Sequence, residues 1–191
     1  MADDAAVPVG ILISGRGSNM AALVAASARP GCAYRVALVA SDRPDAAGLE
    51  HARRHDIPAI GFPAPGRGEK AGYEAALDTA LRDAGVRVIA LAGYMRLLSP
   101  EFVQRWEGRI LNIHPSLLPR YKGLDTHARA IAAGDTVAGC SVHLVTAELD
   151  SGAVLGQAEV PVLAGDTPES LAERVLVEEH ILYPRVLERF C

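Results

Sequence analysis

Residues Val86–Gly93 read VRVIALAG, and past Arg87 every position is apolar or glycine, with no alternation of polar and apolar side chains. A strand with one wetted face alternates with period two, whereas a strand covered on both faces does not. This run therefore reads as the buried centre of a parallel sheet. Parallel strands need crossover connections, usually helical, and the flanking sequence supplies them in turn. Toward the N-terminus, VPVGILIS (Val7–Ser14), YRVALVAS (Tyr34–Ser41) and IPAIGF (57–62) are strand-like. Between them lie the Ala-rich Met20–Ala28 and RPDAAGLEHARRH (43–55), the latter with Asp45 as an early-turn acid. The Pro- and Gly-rich PAPGRGEKAG (63–72) reads as a loop before a helix over Tyr73–Ala84.

Toward the C-terminus, SPEFVQRW offers Ser99 as N-cap and Pro100 at the first helical position. GRILNIH (108–114) is the next strand, and THARAIAAG is a helix stopped by Gly134. GCSVHLV (139–145) and AVLGQAEVPV (153–162) stand close enough to pair antiparallel, and 167–190 reads as a long closing helix with a Thr-Pro start and Pro184 as a point for a kink. The pattern βαβαβαβαβ followed by a hairpin predicts an α/β fold. It is a mainly parallel, doubly wound Rossmann-like sheet with a C-terminal antiparallel hairpin and a closing helix, in one domain over residues 1–191.

Composition narrows the function classes. The chain has 191 residues, half of them hydrophobic and 22% charged, as a folded globular protein requires. A net charge of -4 gives no reason to expect a nucleic-acid partner. The cysteines Cys32, Cys140 and Cys191 are far apart, odd in number and without a CxxC, which points to a reducing compartment with neither disulfides nor a zinc site. The opening MADDAAVPVG carries acids where a signal peptide needs bases. No window approaches the ~20 apolar residues of a membrane span. The expectation is a cytoplasmic protein acting on small molecules, without metal, nucleic acid or membrane, as a monomer or homodimer.

In doubly wound sheets, ligands bind beyond the carboxyl ends of the strands where the chain order reverses. That rule gathers SGRGSN, AGYMRLLSP and NIHPSLLP, and the hairpin turn TAELDSG if it reaches the same site. In SGRGSN, Gly15 and Gly17 permit a tight backbone approach, and Ser18 and Asn19 open a helix whose positive end favours phosphate. A plain glycine turn with a Ser/Asn cap accounts for the same letters. A dinucleotide fingerprint would need a third glycine where Met20 stands, although Asp42, ending the second strand, is placed for a ribose.

Asn112 and His114 share one side of an extended strand. An amide N–H and a protonated imidazole aimed at one point form an oxyanion hole, and Asp150 near His114 would raise its basicity and orient it. Capping of the following loop by Asn and His, with Asp-Ser-Gly as an ordinary turn, is the competing account. His143, two residues after Ser141, is a further candidate. His51, His55 and His180 lie on charged helices and read as solvated. Ser116 sits between prolines without a GxSxG elbow, and the histidines lack metal-ligand spacing.

Taken together and in order, ILISGRGSN, LAGYMRLLSPEFV, ILNIHPSLLPRYKG, THARAIAAGD, GCSVHLVTAELDSGAVLGQAEVPV and EEHILYP resemble the glycinamide ribonucleotide formyltransferase family of purine biosynthesis, a folate-dependent group. The resemblance covers nearly the whole chain. It implies formyl transfer from 10-formyltetrahydrofolate as co-substrate to the amine of glycinamide ribonucleotide, without metal, with Asn112, His114 and Asp150 catalytic. It further implies a ribonucleotide site at Gly17, Ser18, Asn19 and Glu179. A folate site is implied at Lys70, Met95, Arg96, Leu97, Leu98 and Asn112, with the loop up to Asp150. Three positions depart from the family: Lys122 where Pro is common, Asp125 where His is common, and Lys70 where Arg often meets the folate tail. A lysine there acts as a point charge without bidentate geometry. Competing readings are a methionyl-tRNA formyltransferase, which would carry a C-terminal nucleic-acid-binding barrel, and a formyltetrahydrofolate hydrolase, with an N-terminal regulatory domain. Others are a dinucleotide oxidoreductase and a non-catalytic folate-binding module.

Overall fold

The computed structural model describes residues 6–66 and 68–191, so part of the acidic opening, residues 1–5, lies outside it. The strands are β1 (Val7–Ile13), β2 (Tyr34–Ser41), β3 (Ala59–Gly61), β4 (Val88–Leu91), β5 (Ile110–His114), β6 (Val137–Leu144) and β7 (Val154–Pro161). The helices are α1 (Ser18–Ser27), α2 (Ala47–Arg54), α3 (Lys70–Asp83), α4 (Pro100–Arg105), α5 (Thr126–Ala132) and α6 (Pro168–Phe190). They build one seven-stranded sheet in the order β3-β2-β1-β4-β5-β6-β7. The first five strands are parallel, β6 runs antiparallel to β5, and β7 antiparallel to β6. All four residues of β4 are buried, as the unbroken apolar run requires.

Side-chain alternation splits the core between the two faces of the sheet. Val9, Ile11 and Ile13 join Met20, Leu23, Leu49, Leu171 and Leu187 on the face covered by α1, α2 and α6. Leu12, Leu38 and Ile89 join Leu77, Leu81, Phe102 and Trp106 on the face covered by α3 and α4. The Tyr183 hydroxyl of α6 lies 3.1 Å from the carbonyl oxygens of both Leu91 and Leu111, fastening the closing helix beneath the ends of β4 and β5. Chain order reverses between β1 and β4, so the crevice of the doubly wound rule opens at their carboxyl ends, beside β5.

Several boundaries differ from the sequence reading. Helix α3 starts at Lys70, so Lys70, Ala71 and Gly72 are helical instead of loop. Glu69 stands before it and accepts the Gly66 N–H on its carboxylate at 2.7 Å, and residue 67 of the expected loop lies outside the described residues. Helix α2 starts only at Ala47, so Asp45 precedes it and Glu50 is its first-turn acid. Helix α6 runs unbroken from Pro168 to Phe190 through Pro184. No helix is long and apolar enough to cross a membrane among the described residues.

Candidate active site

The antiparallel pairing of β5 and β6 sets Asn112 opposite His143 and His114 opposite Ser141. Alternation then gives all four polar side chains one face. The β6–β7 connection returns Asp150 to them. Its Oδ2 lies 3.5 Å from His114 Nδ1 and its Oδ1 3.5 Å from His143 Nε2. Asn112 Nδ2 is 3.2 Å from His143 Nε2, and His114 Nε2 is 2.9 Å from the Tyr121 carbonyl oxygen. The side chains of His114 and Asp150 are each 7% exposed, so the pair is largely withdrawn from water yet reachable from one side.

The loop after β5 holds this cluster through its backbone. Tyr121 takes a left-handed φ of 54° and Gly123 one of 79°. The turn between them presents the Tyr121 carbonyl to His114 and the Gly123 N–H to Asp150 Oδ2, at 2.9 Å in both cases. The stretch stiffened by prolines is pinned to the hairpin. Ser141 Oγ donates to the Ser116 carbonyl at 2.6 Å and accepts from the Leu118 N–H at 3.0 Å, while Gln157 Nε2 donates to the Leu118 carbonyl at 2.9 Å. Ser116 Oγ donates to the Arg120 carbonyl, so it is a loop fastener. Arg129 of α5 donates to the carbonyls of Lys122 and Leu124 at 2.7 and 3.2 Å. Lys122 itself donates to Ser151 Oγ at 2.6 Å, a bridge between the two loops that a proline at this position cannot make. Asp150 adopts φ 47°, a left-handed conformation that costs a non-glycine residue ~1–3 kcal/mol and clusters at functional sites.

Burial pushes the Asp150 carboxyl up, but the Gly123 N–H donated to it and the nearby His114 charge help to hold it below the ordinary carboxylate value. On α5, burial and the His114 charge push His127 down, favouring its neutral form. An amide donor, an imidazole and an ionised carboxylate thus converge at the open end of β5. Such a set can stabilise an oxyanion and move a proton.

A family model described as formyl transferase matches residues 8–187. The chain belongs to the formyl transferase family. It is 44% identical over 180 residues to phosphoribosylglycinamide formyltransferase of Escherichia coli (strain K12), covering 94% of this chain and 85% of that protein. It superposes on the crystal structure of phosphoribosylglycinamide formyltransferase from Brucella melitensis with a TM-score of 0.93 at 50% identity, covering 97% of this chain and 96% of that one. It is also 43% identical over 182 residues to the trifunctional purine biosynthetic protein adenosine-3 of Gallus gallus, spanning 95% of this chain but only 18% of that protein's length.

In this formyl transferase the loop after β1 and the closing helix meet at a second cluster. Gly17 is the N-cap of α1 in a left-handed conformation, φ 72°, with no side-chain cap, so neither Ser18 nor Asn19 serves as the cap. Ser18 is exposed, whereas Asn19 turns inward and donates from Nδ2 to Glu179 Oε2 at 2.7 Å. Its Oδ1 is buried without a partner. Burial pushes the Glu179 carboxyl up against the opposing effect of that hydrogen bond. The next residue, His180, is half-buried with its Nε2 unpartnered, so it is not the solvated histidine that its charged surroundings suggested.

A cleft of about 330 Å³ is lined by Lys70, Tyr73, Glu74, Met95, Arg96 and Leu97, among others. Met95 and Leu97 expose 72% and 68% of their surface beside it. Leu98 instead packs toward the core with Phe102 and Trp106. Lys70 Nζ stands 3.9 Å from Glu74, and Arg96 Nε donates to Asp42 at 3.1 Å. Asp42 is buried, its Oδ2 held by Arg96 and its Oδ1 without a partner, and a fully buried Met20 stands where the dinucleotide reading needs its third glycine. The Met95 N–H donates to Ser14 Oγ at 2.9 Å, joining the loop after β4 to the loop after β1. Among the described residues no group of three or more His, Cys, Asp or Glu is placed to hold a metal ion.

Proposed function

We propose that this chain, as one formyltransferase domain, transfers the formyl group of 10-formyltetrahydrofolate to the primary amine of glycinamide ribonucleotide in purine biosynthesis. The observation that carries this reading is the convergence of Asn112, His114 and Asp150 at the carboxyl end of β5, in a chain whose relatives bear that activity by name. When the amine attacks the formyl carbon, its oxygen gains negative charge. The Asn112 amide and the His114 imidazolium donate to it, an effect worth ~3 kcal/mol for each donor. The His114–Asp150 separation of 3.5 Å exceeds the ~2.7–2.9 Å of a charge-assisted hydrogen bond, so Nδ1–H is not tied down and is available to the substrate. Asp150 faces that imidazole with its negative charge and assists the proton's passage from the amine to the departing folate nitrogen.

The exposed apolar side chains of Met95 and Leu97 suit the folate ring system, with the backbone around Arg96 and Leu98 framing it and Lys70 meeting the acidic tail. Gly17, Ser18 and Asn19 receive the phosphate through backbone N–H groups, and Glu179 contacts the ribonucleotide. All these residues come from one chain, so the chemistry needs no second subunit, and a cytosolic location accords with small, charged substrates.

The reading is tested by offering glycinamide ribonucleotide, initiator methionyl-tRNA and water as alternative formyl acceptors. Transfer to the ribonucleotide should dominate; faster formylation of the tRNA or faster hydrolysis would replace it with one of the two sister activities.

The phosphate assignment has its own check. A Cβ on Gly17 would lie 2.8 Å from Met20 Cε and 3.3 Å from Gly48 Cα, in a backbone conformation that side chains resist. Gly17→Val should raise KM for the ribonucleotide by ~10–100-fold, the equivalent of one charge-assisted hydrogen bond. KM for the folate should stay within a few fold. Equal losses for both substrates would make the loop a purely structural element.

A further inference from the structure

Two imidazoles face one carboxylate here. His114 and His143 each stand 3.5 Å from an oxygen of Asp150, with ring centroids 6.5 Å apart and nearly perpendicular planes. Their remaining partners differ, and the difference separates their roles. His114 Nε2 meets the Tyr121 carbonyl, which can only accept, and His114 Nδ1 faces Asp150, which when ionised can only accept. Both ring nitrogens of His114 are therefore best satisfied carrying protons. His143 Nδ1 meets the Leu144 carbonyl at 2.9 Å and must donate. His143 Nε2 meets the Asn112 amide nitrogen at 3.2 Å, closer than it comes to Asp150, and toward an amide N–H it must accept.

We infer that His143 is a positioning residue, held neutral as the Nδ1–H tautomer, whose Nε2 lone pair fixes the Asn112 side chain by accepting one of its amide hydrogens. The inference rests on the formyl-transfer reading above for the role of Asn112. An asparagine amide presents either its NH2 or its oxygen to a neighbour, and only the first leaves a hydrogen for an oxyanion. With one Asn112 N–H bound to His143, the second points elsewhere as a free donor and the amide oxygen is turned away. The same arrangement reserves the Asp150 charge for His114. Burial makes the choice strict: His143 is 2% exposed, so water cannot substitute for either partner. The competing state protonates His143. Nε2–H would then bond Asp150, the Asn112 amide would rotate to offer its oxygen, and the oxyanion donor would be lost. The groups that decide between the two states are Asn112 and His114 of β5, Asp150 of the β6–β7 connection, and the Leu144 carbonyl of β6 itself.

Nitrogen-15 NMR of the histidine-labelled full chain distinguishes the two tautomers and the imidazolium by the shifts of both ring nitrogens. At neutral pH the His143 signals, assigned by their loss in His143→Gln, should show a protonated Nδ1 and an unprotonated Nε2. An imidazolium or Nε2–H pattern overturns the inference. Kinetics give a second reading. His143→Leu, which removes the acceptor, should lower kcat by ~10–100-fold with folate KM within a few fold, a fraction of the ~10²–10³-fold for a lost oxyanion donor. His143→Gln, which places an amide oxygen where Nε2 was, should recover most of that loss. In an Asn112→Ala background, His143→Leu should change kcat by less than ~3-fold, because its effect runs through Asn112. Losses that multiply across the two sites would give His143 an independent role and refute the positioning. If His143→Leu does not fold, the Gln variant and the nitrogen spectra decide. If the wild-type chain formylates no glycinamide ribonucleotide, the reading of the reaction fails while the spectra still report the state of His143.

Discussion

Replacing Asn112 by Ala, or His114 by Ala, is expected to lower kcat by ~10²–10³-fold while folate affinity stays within a few fold. The physical basis is that each side chain donates to an oxygen whose charge appears only during the reaction, so ground-state binding barely registers the loss. The two effects should be strongly non-additive: once one donor is gone, the intermediate is no longer held well enough for the other to act as before. Rapid-quench measurement of the transfer step in the two single variants and the double variant gives the comparison. Losses that simply multiply would mean separate roles, and a near-wild-type rate in either single variant would remove that residue from the reaction. Circular dichroism must show a retained fold. His114 also bonds the Tyr121 carbonyl, and its loss could otherwise act by loosening the loop.

Asp150→Asn is expected to lower kcat by a comparable ~10²-fold or more, through loss of a charge with the shape of the turn retained. The amide can still accept the Gly123 N–H that the Asp150 carboxylate receives at 2.9 Å, so the turn keeps its shape. What disappears is the negative charge beside two imidazoles. The wild-type carboxyl is held below its ordinary value, so it is ionised throughout the neutral range and contributes no limb to the rate profile there. Its stabilising contribution is present above the unfolded value and is lost as pH falls through the depressed folded value. An activity limb near neutrality must therefore come from another group. Replacing the charge by a neutral amide should therefore lower kcat across the neutral range, with the difference fading only where acid protonates the wild-type carboxyl. A near-wild-type kcat for Asp150→Asn across the neutral range of a pH profile would remove the Asp150 charge from the reaction.

Much of the site was legible in the linear chain because strand geometry is short-ranged. The unbroken apolar run at Val86–Gly93 places a strand in the middle of a covered sheet, and all of Val88–Leu91 is indeed buried. Period-two alternation alone puts Asn112 and His114 on one side. The rule that doubly wound sheets bind at the reversal of chain order then selects the three loops that line the crevice. The error at the start of α3 came from reading Gly72 and its neighbours by local propensity, whereas the helix begins at Lys70 and takes Gly72 into its first turn.

The sequence by itself determined the element order, the buried centre of the sheet and the residue types at the end of β5, since these follow from backbone periodicity and burial along a few residues. The tertiary structure alone decided which partners those residues meet. The β5–β6 register brings His143 to Asn112, from 31 residues away. The packing of α6 against α1 brings Glu179 to Asn19, from 160 residues away. A left-handed backbone at Tyr121, which no side chain announces, aims a carbonyl at His114, and Lys122 reaches Ser151 only because two loops close over the same edge. Hydrogen-bond partners, and with them the protonation and tautomer of each imidazole, depend on contacts at distances of ~3 Å between segments remote in sequence. Periodicity carries no information about such contacts; the folded chain does.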